Sequence, residues 1–309
     1  MQNAPPLRPA PALQCGDRIV ILSPSSKVEE QCVRGAAERL LSWGLTVEIS
    51  PNALSRHANF AGTDEERLAD LQAALDDPTV KAILCSRGGY GLVRLLDRLS
   101  LVRFAKSPKW IIGFSDVTAL HGLLQSAGYQ SIHASMTKNL AEQPADDPCV
   151  QRLRDLLFSE ASTQAITSPA LPLNIPGTAT GAVRGGNLSV LNGLRATPYD
   201  FPAEGTILLI EDIGERPYQV ERMMYALRLS GALARLSGLI VGQFTEYTED
   251  RAIGLTLHEM LHSMVHSYGY PVAFDFPVGH TTQNTPLILG SNYELQVTAT
   301  QTTLQPLPQ

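Results

Sequence analysis

The stretch Lys109-Trp110-Ile111-Ile112-Gly113-Phe114-Ser115-Asp116-Val117-Thr118-Ala119-Leu120 joins two patterns that together point to the fold. Trp110 to Gly113 is short, apolar and β-prone, which predicts a buried strand. From Asp116 onward, apolar residues recur at helical spacing, at Ala119, Leu120, Leu123, Leu124 and Ala127. Ser115 is therefore expected on a strand-to-helix turn, at the carboxyl end of the strand.

A serine on such a turn is a candidate nucleophile. Its hydroxyl is lifted out of the sheet, and the N–H groups at the start of the next helix can face an anion. This is the layout of a nucleophile elbow, although Val117 stands where G-x-S-x-G has its second Gly. The alternative is that Ser115 or Asp116 only caps the helix. The stretch alone leaves both interpretations open.

The preceding residues extend the pattern into an α/β domain. Strands are expected at residues 18–22, 45–49 and 81–85, with a further strand at 131–133, and helical patterns alternate with them. Thr63 with Glu66 three residues later predicts a capping box at one helix start. This alternation predicts a doubly wound, mostly parallel sheet of the flavodoxin- or amidotransferase-like kind, with ligands at the carboxyl ends of its strands.

The second half of the chain has a different texture. We predict an N-terminal α/β domain over residues 1–145, a helix and Pro/Gly-rich linker over 146–179, and a strand-rich C-terminal α/β domain over 180–309. In the last domain a strand at 205–210 is expected to end in Glu211-Asp212, and residues 287–289 and 293–297 to form a hairpin.

Composition excludes several classes of partner. The chain has 309 residues and a net charge of −6 with no basic cluster, so neither nucleic acid nor an anionic membrane is expected to bind. The four cysteines are widely spaced, which predicts neither a zinc cluster nor a disulfide framework. The N-terminal residues lack the features of a signal peptide, and no apolar run is long enough to span a bilayer. A cytoplasmic location is therefore expected.

A glycine-rich segment, Ser86-Arg87-Gly88-Gly89-Tyr90-Gly91, follows the strand at 81–85. It matches neither G-x-G-x-x-G nor a P-loop, which argues against a phosphate site. Its backbone N–H groups could instead stabilise an oxyanion. The alternative is a tight turn that needs positive φ.

A second motif, His258-Glu259-Met260-Leu261-His262, matches the zinc peptidase pattern H-E-x-x-H. The longer form of that pattern fails, because Val265 and Tyr268 replace its Gly and third His. The apolar stripe of this helix also explains it as a packing element, so the interpretation without metal is favoured.

A serine nucleophile needs a base, and the base needs an orienting carboxylate. His121 is only six residues after Ser115 on the same helix and is expected to point away. His280 lies in a polar loop beside Gly279 and Pro277, where a functional histidine is more common. Glu211 follows a buried strand, where an acid usually has a partner. A capping or salt-bridge role for Glu211 is the alternative.

Five motifs resemble those of LD-carboxypeptidases, a serine peptidase family that includes the microcin C immunity peptidases. They occur in the same order and extend the resemblance over nearly the whole chain: residues 86–91, 112–118, 185–188, 209–212 and 277–280. The resemblance implies a Ser-Glu-His triad carried on two domains, without metal or cofactor.

By this resemblance Ser115 is the nucleophile, Glu211 the orienting acid and His280 the base. Asp212 and Glu215 are the rival acids. The oxyanion hole would use backbone N–H groups of Gly88 or Gly89 and of Asp116. One departure is His133-Ala134-Ser135-Met136, where many members have His-Gly-Pro-Met.

The implied reaction releases terminal D-Ala from murein tetrapeptides during peptidoglycan recycling in the cytoplasm, and a homodimer is the assembly that the family suggests. The alternative within the family is a microcin C-type immunity peptidase that cleaves an aminoacyl nucleotide analogue. A zinc peptidase and a non-catalytic muropeptide-binding protein are the alternatives outside it.

Overall fold

A computed structural model describes residues 7–159, 164–250 and 252–308. These residues divide into two compact units. The first unit comprises residues 7–159 and 285–288, and the second comprises residues 164–284 and 289–308. Each unit has its own apolar core.

The strands are β1 Arg18–Leu22, β2 Thr46–Ile49, β3 Val80–Cys85, β4 Trp110–Gly113, β5 Ser131–His133, β6 Ile166–Pro169, β7 Gly177–Asn187, β8 Ile207–Ile213, β9 Gly238–Thr245, β10 Val272–Ala273, β11 Leu287–Leu289, β12 Asn292–Val297 and β13 Gln301–Pro306. The helices are α1 Glu30–Ser42, α2 Asp64–Asp76, α3 Thr118–Ser126, α4 Thr137–Glu142, α5 Pro148–Phe158, α6 Leu188–Gly193, α7 Pro217–Leu229 and α8 Leu257–Val265. None of the helices in the described ranges combines the length and apolar character that a membrane crossing requires.

The first unit contains a six-stranded sheet in the order β11-β5-β4-β3-β1-β2. The ladders from β2 through β5 are all parallel. Because β1, β3 and β4 are neighbours, the loops that follow their carboxyl ends adjoin. The predicted strand at Trp110–Gly113 is confirmed, and all four of its residues are buried. The capping box of Thr63 and Glu66 at the start of α2 is confirmed as well.

The second unit contains a seven-stranded sheet in the order β10-β9-β8-β7-β12-β13-β6. Strands β7 to β10 pair in parallel, whereas β12, β13 and β6 extend the sheet with antiparallel ladders. The predicted α/β class, with a mostly parallel first sheet and a strand-rich second half, is confirmed.

The predicted hairpin of residues 287–289 with 293–297 is wrong. β11 is the edge strand of the first sheet, beside β5, whereas β12 belongs to the second sheet. Gly290 has a φ of 84°, and the chain leaves one sheet and enters the other at this turn. The hairpin partner of β12 is β13, joined to it through residues 298–300.

Two further segments differ from the prediction. Where a helical pattern is expected between the strands at 81–85 and 110–113, the structure has short 3-10 turns, which include Leu92–Arg94 and Leu96–Arg98. The predicted linker contains β6, an edge strand that pairs with β13. Pro169 is tolerated there because an edge strand needs few ladder hydrogen bonds. Residues 160–163 of that linker lie outside the described residues.

Candidate active site

Ser115 occupies the predicted strand-to-helix turn in the first unit. It follows β4 after one residue and opens a 3-10 turn, Ser115–Val117, that leads into α3. Its φ is 64°, in the left-handed region that side chains other than glycine rarely adopt. A strained serine backbone between a strand and a helix is the geometry of a nucleophile elbow. The position can therefore present a hydroxyl away from the sheet.

The glycine-rich segment packs directly on this turn. A Cβ atom added to Gly88 would lie 2.7 Å from Ser115 Cβ, 2.9 Å from Ser115 Oγ and 3.2 Å from the Asp116 backbone nitrogen. Only glycine fits this approach. Gly89 faces a different neighbour, since its added Cβ would lie 2.2 Å from the Oγ atom of Ser26. Of these two glycines, Gly88 is therefore the one that packs against Ser115, whereas Gly89 packs against Ser26.

The Asp116 side chain ties three loops together. Its Oδ2 atom accepts hydrogen bonds from the Ser25 hydroxyl at 2.6 Å and from the Leu92 backbone N–H at 2.9 Å. Burial raises the pKa of this carboxyl above its ordinary value, although both hydrogen bonds favour the ionised form. The side chain therefore supports the turn structurally. The role expected from the sequence concerns its backbone N–H, which lies in the first turn of a helix, where N–H groups lack intrahelical acceptors.

Ser25 has a structural role that the sequence did not reveal. It lies in the turn after β1, and a serine in Ser23-Pro24-Ser25-Ser26 is typical of any turn. The same turn holds the glycine-rich segment, because the Ser26 N–H donates to the Gly88 carbonyl at 3.1 Å and the Tyr90 N–H donates to Ser26 Oγ at 3.2 Å. Ser25 follows β1, which neighbours β3 in the sheet, and β3 neighbours β4. This position is the signal from which its role could have been predicted.

His121 lies beneath the elbow and is fully buried. Its Nε2–H donates to the Gly113 carbonyl at 3.0 Å, at the end of β4. Its Nδ1 atom has no hydrogen-bond partner among the described residues. Burial lowers the pKa of this imidazole to about 4. His121 therefore supports the strand end as a neutral ring.

In the second unit, Glu211 and His280 form a buried acid–base pair. The Nδ1–H group of His280 donates to Glu211 Oε2 at 2.6 Å. The Glu211 side chain is 0% exposed and that of His280 is 14% exposed. This contact fixes the histidine tautomer with its proton on Nδ1, so Nε2 is the nitrogen that can accept a proton. The pair has the arrangement by which a carboxylate orients a general base.

Two glycines make room for the acid of this pair. A Cβ added to Gly279 would lie 3.1 Å from Glu211 Oε2, and one added to Gly242 would lie 3.2 Å from Glu211 Cβ. The register of β8 with β9 shifts between Ile210 and Asp212, so an irregularity falls at Glu211 itself. Such irregularities re-aim side chains beside functional sites. Asn284 holds the histidine loop, because its Oδ1 accepts the Gly279 N–H at 3.0 Å.

The rival acids have other partners. Asp212 accepts hydrogen bonds from the Asn187 side chain and the Ser189 backbone N–H, both at 2.8 Å, at the start of α6. Burial and the neighbouring Asp212 carboxylate raise the pKa of Glu215, which lies near the Ser189 side chain. These contacts assign both acids to the start of α6. Both acids lie inside or after β8, which extends to Ile213 rather than ending at Ile210.

The H-E-x-x-H motif lies on α8, whose apolar face is buried. His258 Nε2 lies 3.2 Å from Asp275 Oδ1, and the His262 ring stacks on that of His266. Glu259 closes a capping box with Thr256. Within residues 7–159, 164–250 and 252–308, no group of three or more His, Cys, Asp or Glu side chains is placed to hold a metal ion.

Comparison with known families assigns both halves of the chain. The LD-carboxypeptidase N-terminal domain matches residues 19–134, and the LD-carboxypeptidase C-terminal domain matches residues 180–295. The chain belongs to the LD-carboxypeptidase family. The resemblance read from the five motifs is thereby confirmed.

Related proteins match this chain over most of its length. A Synechocystis sp. protein named as a carboxypeptidase is 36% identical over 94% of this chain and 94% of its own length. A murein tetrapeptide carboxypeptidase of Pseudomonas aeruginosa is 30% identical over 86% of this chain and 89% of its own length. The crystal structure of muramoyltetrapeptide carboxypeptidase from Oxalobacter formigenes has a TM-score of 0.84 and 29% identity, and covers 94% of this chain and 100% of that one. These similarities support a serine-type carboxypeptidase.

Proposed function

We propose that this LD-carboxypeptidase family member hydrolyses the bond between an L-centre, of diaminopimelate or lysine, and the terminal D-Ala of murein tetrapeptides. The observation that carries the proposal is the 2.6 Å contact between buried Glu211 and His280. A family that acts on such peptides needs a base oriented in this way. The similarity to murein tetrapeptide carboxypeptidases supports the choice of substrate.

In the proposed reaction, Ser115, Glu211 and His280 act as a triad. His280 Nε2 takes the proton of the Ser115 hydroxyl as the serine oxygen attacks the scissile carbonyl. His280 then gives that proton to the amine of D-Ala, which leaves. A water molecule repeats the sequence on the acyl-enzyme and releases the shortened peptide. Glu211 keeps the imidazole in the correct tautomer and stabilises its charged form.

The tetrahedral oxyanion would be stabilised by backbone N–H groups of Gly88 or Gly89 and of Asp116. The close approach of Gly88 to Ser115 supports this assignment. Preorganised N–H donors of this kind typically contribute on the order of 10²–10³ in kcat each. A cytoplasmic role in peptidoglycan recycling and a homodimeric assembly are further parts of the proposal that rest on the family resemblance.

The triad is tested by substitution. Each of three variants should lower kcat on L-Ala-γ-D-Glu-meso-diaminopimelate-D-Ala by at least about 10³-fold: Ser115→Ala, Glu211→Gln and His280→Ala. Each substitution removes the nucleophile, the base or the acid that orients the base. Released D-Ala is measured by mass spectrometry, and circular dichroism checks the fold. Glu215→Gln is the matched control, since its carboxyl is assigned to the start of α6, and it should retain activity.

Other outcomes would contradict this proposal in distinguishable ways. If Glu211→Gln were active and Glu215→Gln inactive, the role of orienting acid would belong to Glu215 instead of Glu211. Turnover of an aminoacyl nucleotide analogue in place of the tetrapeptide would favour the immunity-peptidase alternative. Loss of turnover on exhaustive chelation would favour a zinc peptidase. Tetrapeptide binding without turnover, unchanged in Ser115→Ala, would indicate a muropeptide-binding protein.

A further inference from the structure

A concave pocket of about 390 Å³ lies beside the glycine-rich segment, wholly within the first unit. Its lining includes Ser26, Lys27, Phe60, Arg87, Gly89 and Tyr90. The volume is in the range of small-molecule sites, roughly 300–1,000 Å³. Neither the triad nor the oxyanion hole accounts for its two basic side chains.

The two cations of the pocket are anchored through neutral groups. The Arg87 guanidinium donates to the Lys27 carbonyl at 3.0 Å, and the Lys27 ammonium donates to the Ala58 carbonyl at 3.0 Å. Neither cation lies within 4.0 Å of a carboxylate in the described part of the chain. Each anchoring contact uses one donor of a group that has several. Two positive charges with open donors therefore line one concavity.

An aromatic wall completes the pocket. The rings of Phe60 and Tyr90 lie 6.0 Å apart, and the Tyr90 side chain is 57% exposed. The guanidinium groups of Arg67 and Arg94 hold Phe60 in place, with their central carbons 4.9 Å and 5.1 Å from its ring centroid. Arg67 and Arg94 differ from Lys27 and Arg87 in that their charges are already paired with the Asp64 carboxylate. An apolar wall beside two uncompensated cations suits a small group that is part anionic and part apolar.

The pocket adjoins the proposed nucleophile through the backbone. Gly89 lines the pocket, and the preceding residue, Gly88, packs against Ser115 Oγ. The pocket and the Ser115 turn therefore lie against consecutive residues of one segment, Gly89 and Gly88. In a peptide with D-Ala at its end, the terminal carboxylate is separated from the scissile carbonyl by one residue.

We propose that this pocket binds the terminal carboxylate of the substrate through Arg87 and Lys27. The D-Ala methyl group would contact the aromatic wall. The inference rests on the proposed function and adds to it the means by which the enzyme selects a free carboxyl terminus. Arg87 is suited to this role because its planar guanidinium can donate two parallel hydrogen bonds to one carboxylate.

The test compares the tetrapeptide with its C-terminal amide. In the wild-type protein, kcat/KM should favour the free acid. Arg87→Gln should reduce that acid-to-amide ratio roughly 10- to 100-fold, mainly through KM, because hydrogen bonds to a charged partner are lost. Lys27→Gln should reduce it less, and Arg87→Lys should restore part of it. Lys106→Gln, an exposed lysine elsewhere in the same unit, is the matched control and should leave the ratio unchanged.

A second pair of substrates identifies the carboxylate. The tetrapeptide with lysine in place of meso-diaminopimelate lacks the side-chain carboxylate of that residue. An equal loss in Arg87→Gln on both peptides supports the proposal. A loss confined to the diaminopimelate peptide would overturn it, because the cations would then bind that side chain. An unchanged acid-to-amide ratio in Arg87→Gln would overturn it as well.

Failure of the inference can be told from failure of the proposed function. If wild type cleaves the tetrapeptide, and Ser115→Ala does not, the function stands whatever Arg87→Gln does. If wild type cleaves neither peptide, calorimetric titration of Ser115→Ala with the acid and the amide still tests the pocket. Equal affinity for the two would then overturn the inference by itself.

Discussion

At the scale of single residues, we expect the addition of one methyl group at Gly88 to have a large effect on kcat. The Gly88 backbone is not in the left-handed region, so alanine is excluded by contact alone. The obstacle is Ser115 itself together with the Asp116 backbone nitrogen, 2.7–3.2 Å from the added methyl group. That contact cannot be relieved without moving the turn that carries Ser115.

Gly88→Ala should therefore lower kcat on the tetrapeptide by about 10²-fold, since small misplacements of reacting groups have effects of that size. Steady-state kinetics with a mass-spectrometric readout of D-Ala measures the change. Gly193→Ala is the control, because nothing lies within 4 Å of its added Cβ. Wild-type kcat in Gly88→Ala would show that Ser115 is not constrained by this loop.

At the scale of elements, the junction of β4 with α3 depends on a histidine that must stay neutral. The His121 pKa is lowered to about 4, below the ordinary value of 6.5. Between these pH values the unfolded chain binds a proton that the folded chain does not. The free energy of unfolding therefore rises with pH across this window and falls as the solution is acidified through it.

Acidification from pH 6.5 to pH 4 should accordingly destabilise wild type more than His121→Gln, with up to about one additional proton taken up on unfolding. Glutamine keeps a donor for the Gly113 carbonyl but does not titrate. Urea denaturation at several pH values gives the free energy of unfolding of each protein, and its slope against pH is then compared between wild type and His121→Gln. Parallel pH dependence in the two proteins would contradict the assignment of His121 as a buried neutral ring.

At the scale of the whole molecule, each unit is completed by chain that is distant in sequence. The first unit receives residues 285–288, which bring β11 to the edge of its sheet. The buried Arg152 side chain on α5 holds this segment, since its Nε–H donates to the Pro286 carbonyl at 2.7 Å. The returning segment is thus part of the first unit's core, which includes Ile288.

Arg152→Met should lower the free energy of unfolding by about 1–3 kcal/mol, because it leaves a buried carbonyl without its charged donor. Chemical denaturation measures the loss. Arg154→Met, at an exposed position on the same helix, should change stability by less than about 0.5 kcal/mol. Equal stability of the two variants would show that the packing of residues 285–288 into the first unit does not depend on Arg152.

The sequence predicted best where the determinants are local. The change from strand to helix periodicity around Ser115 indicated the turn, and Thr63 with Glu66 indicated a helix start. Prediction failed at residues 287–297, where turn residues between two apolar segments are typical of a hairpin. Which sheet each strand joins is decided by distant partners, and no local pattern contains that information.

The sequence by itself therefore determined the α/β class, the turn that carries Ser115 and, through ordered motifs, the family. It left three acids, Glu211, Asp212 and Glu215, open as partners of His280. Only the tertiary structure paired Glu211 with His280, 69 residues apart, and assigned Asp212 to the start of α6. The physical reason is that hydrogen-bond partners of buried charged groups depend on which surfaces meet on folding. Helix and strand periodicity, by contrast, arise from the geometry of neighbouring residues.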